Sequence, residues 1–129
     1  MSSKSPFFLT VEVALQVHEE MILAYGGSPG VRDLGLIESA VAQGLNVYNC
    51  ADADLFGIAA AYAFHLAESQ AFIDGNKRTG AAAALSFLHI NDVDIMRIST
   101  QEVYEMMIRI ATKELSKTGL ADFLRSRLT

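Results

Sequence analysis

Residues Leu55 to Phe64 form an apolar run interrupted only by Gly57 and followed by His65. The run is too short to cross a bilayer. Continued to about Ser69 as a helix, it is apolar nearly all round, the pattern of a central helix buried on every side. The other elements must then be arranged around it. A chain of 129 residues is the size of one domain and can bury about two thirds of its unfolded surface. No internal repeat, low-complexity tract or Pro/Ser-rich linker divides it, so one domain over 1–129 is expected.

The flanking segments carry helical periodicity. Thr10 is placed to cap a helix with Glu12 in its first turn. Ala14, Val17, Met21 and Ala24 give that helix an apolar face, and it ends near Tyr25. Gly26-Gly27-Ser28-Pro29-Gly30 is a stop and a turn. Asp33 can cap a second helix with Leu36, Ile37, Ala40, Val41, Gly44 and Leu45 inward. Asp52 or Asp54 can cap the third. A fourth runs roughly from Asn76 to Asn91, and its Ala81 to Ala84 allow a neighbour to approach closely. Val93 to Ile98 alternates briefly, as an extended segment would. Ser99 and Glu102 form a capping box for a helix to about Leu115, with Val103, Met106, Met107 and Ile110 inward. A short helix over Leu120 to Leu128 closes an all-α bundle of about six helices. Met96, Met106 and Met107 are expected as core fillers, and His18 and His89 as surface or boundary residues.

Composition narrows the function classes. At 51% hydrophobic and 19% charged the chain fits a compact soluble protein and excludes global disorder. Its net charge of -5 argues against nonspecific nucleic-acid binding. The single Cys50 cannot form an internal disulfide, and no Cys/His cluster has zinc spacing, so a cytoplasmic location is expected. Met1 to Pro6 lacks the apolar core of a signal peptide.

The chemistry concentrates in Gln70-Ala71-Phe72-Ile73-Asp74-Gly75-Asn76-Lys77-Arg78-Thr79-Gly80. A helix N-terminus presents unpaired backbone N–H groups and a dipole that favours an anion. Gly75 permits close backbone approach, Asn76 can be the N-cap, and Lys77 and Arg78 then fall in the first turn. Cations there are unfavourable unless an anion compensates them. Asp74 is a hard oxygen ligand suited to Mg²⁺ on phosphate oxygens, and Phe72 is placed to anchor the loop in the core. Asp-Gly-Asn is equally an ordinary loop and cap, and Lys-Arg pairs are common on solvated faces.

Phe72 to Arg78 resembles the central motif of the Fic/Doc family, in the form of its Doc (death-on-curing) branch, which reads His-x-Phe-x-Asp/Asn-Ala/Gly-Asn-Lys-Arg. Tyr25 to Asp33, Gly35 to Ala40 and Thr79 to Ala84 extend the likeness over most of the chain. The resemblance implies an all-α fold with the motif loop between two central helices. It also implies Asp74 as the Mg²⁺ ligand, Gly75 in the phosphate loop, and Asn76, Lys77 and Arg78 on the phosphates of ATP. AMP-transferring relatives have Gly where Lys77 stands and a second Arg where Ala81 stands. Both differences fit the Doc branch, whose toxins transfer the ATP γ-phosphoryl group to a threonine of translation elongation factor Tu. An antitoxin with a helix lying in an apolar groove is the implied partner. Tyr25 to Gly30 corresponds to a flap that aligns a target segment by strand addition; from the residues alone it is a helix-terminating turn.

Gln70 departs from the family pattern, which has a histidine there as general base. Glutamine can orient a hydroxyl but cannot accept its proton, and loss of a general base costs on the order of 10² to 10⁴ in rate. His65 is five residues away, about 140° around a helix from position 70, and a satisfied helix-edge histidine is expected. Glu68 is expected to be solvated. The reading is a Doc-type kinase fold impaired at position 70. The alternatives are a nucleotide- or partner-binding pseudoenzyme and an AMP transferase.

Overall fold

A computed structural model describes residues 5–129, which fold as six helices; the first four residues of the Met1 to Pro6 segment lie outside them. The helices are α1 (Val11–Tyr25), α2 (Leu34–Ala51), α3 (Leu55–Glu68), α4 (Asn76–Ile90), α5 (Thr100–Ala111) and α6 (Lys117–Leu128). As its all-round apolarity requires, α3 is central and touches α2, α4, α5 and α6. Ile58 to Ala63 and Leu66 are fully buried. None of the described helices is long and apolar enough to cross a membrane.

The closest seam lies between α3 and α4. Gly80 packs so tightly that a Cβ there would stand 2.5 Å from the Ala63 carbonyl oxygen. Ala81, Ala83 and Ala84 are buried along the same helix, so small side chains let the two backbones approach. The loop between these helices, residues 69–75, is thus held at both ends by the tightest part of the core.

Caps fix most of the helix boundaries. Thr10, Asp33 and Asp54 accept the N–H groups of Val13, Leu36 and Gly57, and Ser99 and Glu102 form the expected capping box. Asp54 rather than Asp52 caps α3; Asp52 is the left-handed C-cap of α2. The Arg125 guanidinium takes both Asp54 oxygens at 2.9 Å. Arg125, together with the capping N–H of Gly57, holds the Asp54 carboxyl below its ordinary range.

Several sequence expectations are corrected. The fourth helix starts from Gly75, not from an Asn76 cap. The fifth ends at Ala111, where Thr112 and left-handed Lys113 turn the chain. The sixth begins three residues early, because Ser116 accepts the Gly119 N–H and draws Thr118-Gly119 into the helix. Val93 to Ile98 forms no strand; it is irregular, with one turn at Met96-Arg97. Ala24, Leu45 and Met96 face solvent, Met96 at 88% exposure. His18, expected near the surface, is only 3% exposed.

Candidate active site

The residues from Ser69 to Gly75 leave α3 and enter α4 through an abrupt turn. Ser69 ends α3 with its N–H on the His65 carbonyl. Gln70 then adopts φ +50, a left-handed conformation unusual for a residue with a side chain. Phe72 drops into the core at 1% exposure and stacks on His18, with ring centroids 3.9 Å apart and planes 10° from parallel. The His18 Nε2–H donates to the Asp74 carbonyl at 2.8 Å. Asn76, the first residue of α4, turns its carboxamide back onto Phe72, accepting its N–H at 3.0 Å and donating to its carbonyl at 3.1 Å. Its side chain therefore shapes the loop and is committed to the Phe72 backbone.

A second segment seals the loop from the other side. Residues 26–33, between α1 and α2, run antiparallel to it with Val31 bridging Phe72. The Gly30 carbonyl accepts the Ile73 N–H, and the Ala71 carbonyl accepts those of Arg32 and Asp33. The Arg32 guanidinium grips the Gln70 carbonyl through Nε at 2.8 Å and Nη2 at 2.5 Å. Cations at a helix C-terminus complement its dipole, and here one also pins the backbone that carries residue 70.

The loop, the end of α1, the first turn of α4 and α5 line an open cavity of about 290 Å³ whose lining includes Gln70, Asp74, Gly75, Lys77, Arg78 and Tyr104. Asp74 is exposed. Its Oδ2 accepts the Ser28 N–H at 3.1 Å and its Oδ1 the Gly75 N–H at 2.9 Å, so each oxygen keeps a lone pair for another partner. Gly27 is required beside it: φ is +115, and a Cβ would lie 2.8 Å from Asp74 Oδ2. Gly75, at φ +75, brings no side chain to cap α4, which leaves the end of that helix open to an anion. The first turn carries Lys77 and Arg78 and no acid. Among the described residues Lys77 has no ion-pair partner.

Among the described residues no three His, Cys, Asp or Glu side chains converge as a metal cage. A single accessible carboxylate still fits Mg²⁺, which keeps several waters and is usually held by one or two carboxylates together with substrate phosphates.

No histidine lines this cavity. His65 faces elsewhere, with its Nε2 3.2 Å from Lys117 Nζ. Burial and the Lys117 charge lower its pKa, so it stands there as a neutral acceptor. His18 lies behind the loop with its Nε2–H committed. Neither can stand in for a base at position 70. The position of Ala81 is fully buried, deep in the helix seam.

Sequence reasoning missed His18, Arg32, Gln101 and Tyr104. His18 was findable, because it lies four residues after Ala14 and three before Met21, on the apolar face of its helix. The other three come from distant segments and gave no local signal.

The model of the Fic/DOC family matches residues 8–88. The chain is 38% identical over 102 residues to a protein named Toxin Doc from Mycolicibacterium smegmatis, covering 77% of this chain and 78% of that one. It is 34% identical over 119 residues to the protein named Protein kinase doc from Escherichia phage P1, covering 91% and 92%. The motif loop, the helices that hold it and these likenesses together place this chain in the Fic/Doc family, among its Doc-type toxins.

Proposed function

We propose that this chain is a Doc-type toxin that binds ATP with Mg²⁺ at the α4 N-terminus, and that Gln70 withholds the proton-accepting step of phosphoryl transfer. The observation that carries the reading is the juxtaposition around one cavity of Asp74, Lys77, Arg78 and an uncapped helix end, with an amide where a base would stand. The phage relative's name, a protein kinase, favours γ-phosphoryl transfer; the acceptor in this reading, a threonine of translation elongation factor Tu, rests on the family resemblance alone.

The residues divide the work. Lys77, Arg78 and the first-turn N–H groups hold the phosphate oxygens and offset charge that develops as the phosphoryl group moves. Asp74 would hold the metal, which when bound would supply positive charge to offset that of the phosphate oxygens. Asn76, His18 and Arg32 keep the loop in shape. Gln70 reaches the same cavity and can orient an attacking hydroxyl, but has no site for its proton at neutral pH. The expected setting is the cytoplasm, with an antitoxin helix lying in an apolar groove as the controlling partner.

The test is Gln70→His, expressed under tight control. The expected results are growth arrest, and label from γ-labelled ATP on elongation factor Tu with none from α-labelled ATP. Equal behaviour of the His and Gln forms would leave the second reading, a nucleotide-binding protein without catalysis. That reading is favoured by the absence of any histidine from the cavity lining. It predicts ATP binding that Asp74→Ala and Arg78→Ala weaken. Label from α-labelled ATP would instead mean AMP transfer.

A further inference from the structure

Arg78 is held differently from the two arginines that form ion pairs among the described residues. Arg125 and Arg127 are tied to the carboxylates of Asp54 and Glu102. The Arg78 guanidinium instead lies over two rings, 4.0 Å from the centroid of Tyr25 and 4.0 Å from that of Tyr104. Its Nη1 donates to the neutral Oε1 of Gln101 at 2.9 Å. Tyr25 is the last residue of α1, where the flap begins, and Tyr104 stands on α5. Three side chains from two other helices therefore converge on one arginine, and none contributes an anion.

The chemistry of that choice is specific. A carboxylate would fix an arginine equally well, but it would occupy the N–H fork and neutralise the charge. Ring faces fix the plane of a guanidinium through its π-faces and leave most of the in-plane N–H edge and the full charge available. An arginine held this way loses less rotamer freedom when an anion arrives.

We propose that Tyr25 and Tyr104 are positioning residues that hold the Arg78 guanidinium ready for the phosphates of the nucleotide. This rests on the reading of Arg78 as a phosphate ligand. The discriminating property is ligand charge: a general loosening of the fold weakens every ligand, whereas misplacing Arg78 weakens only phosphate-bearing ones.

The experiment is calorimetric titration of the full chain with ATP and Mg²⁺, and separately with adenosine. Tyr104→Leu and Tyr25→Leu are each expected to weaken ATP binding about tenfold, with adenosine affinity unmoved. Tyr104→Phe, which keeps the ring face, is expected to restore ATP affinity to within about twofold of the parent. Tyr25 is 49% exposed, so its variant tests the idea even if the Tyr104 variants fail to fold. If Arg78→Ala weakens ATP binding while the leucine variants match the parent, the positioning role is overturned and the phosphate role stands. Leucine variants that weaken ATP and adenosine alike overturn the positioning role in the same way. If the parent does not bind ATP, or Arg78→Ala binds as the parent does, the phosphate reading falls and takes this inference with it.

Discussion

The guanidinium of Arg32 donates twice to the backbone carbonyl of Gln70, from Nε at 2.8 Å and Nη2 at 2.5 Å. The contact joins the flap to the one residue of the motif that carries a left-handed φ with a side chain. It thereby sets where the side chain of residue 70 enters the cavity. In a Gln70→His background, Arg32→Ala should lower kcat by about 10- to 100-fold, because small misplacements of a reacting group are costly. The KM for ATP should stay within a fewfold, since the proposed phosphate ligands lie on α4. Steady-state kinetics of the double variant separate the two.

His18 should behave as part of the site although it lies behind the motif loop. His18→Phe keeps a ring against Phe72 but leaves the Asp74 carbonyl without its donor, a loss worth about 1–3 kcal/mol. His18→Ala also opens a cavity under Phe72 and should cost about 2–4 kcal/mol. Urea denaturation measures both, and Mg²⁺-dependent ATP binding should fall with each as Asp74 is released.

At the α3–α4 seam, Gly80→Ala would force a methyl to within 2.5 Å of the Ala63 carbonyl oxygen. Overpacking against rigid backbone should cost at least about 1–3 kcal/mol, visible as a drop in the thermal midpoint.

The pH response has a definite sign. The His65 pKa is lowered by burial first and then by the charge of Lys117. The unfolded chain therefore takes up a proton that the folded chain resists, and His65 favours the fold fully above the ordinary imidazole value of about 6.5. That contribution is lost as pH falls below it. His65→Gln should flatten the stability curve between about pH 7 and 5, as denaturant titrations at several pH values would reveal. Since His65 is half-buried, the change should be modest.

What could be read from the sequence was local. Side-chain caps such as Thr10 and the Ser99–Glu102 box are contained within four residues, and the all-round apolarity of Leu55 to Phe64 has one structural solution. That Asp74, Gly75, Lys77 and Arg78 share one cavity was legible for the same reason, because they lie within five consecutive residues. Asn76 was misassigned because an asparagine beside a glycine suits either a cap or a loop clamp, and the decision lay with the backbone of Phe72. Ser116 was overlooked because the glycine after Thr118 resembles a stop. Arg32 and Gln70 are 38 residues apart in the chain. That pairing, like those of Tyr25 and Tyr104 with Arg78, leaves no local pattern and exists only once the helices have packed.

The absence of a side chain at Gly80 also sets a manufacturing tolerance. Residue 70 leaves one post of the seam, and Lys77 and Arg78 rise from the other. The span between residue 70 and the first turn of α4 is therefore gauged by backbone in contact with backbone, not by a loop free to settle. A substitution that thickens this seam by one methyl group widens the gauge while every residue of the motif stays in place. Such a variant would keep an intact motif and still be out of true.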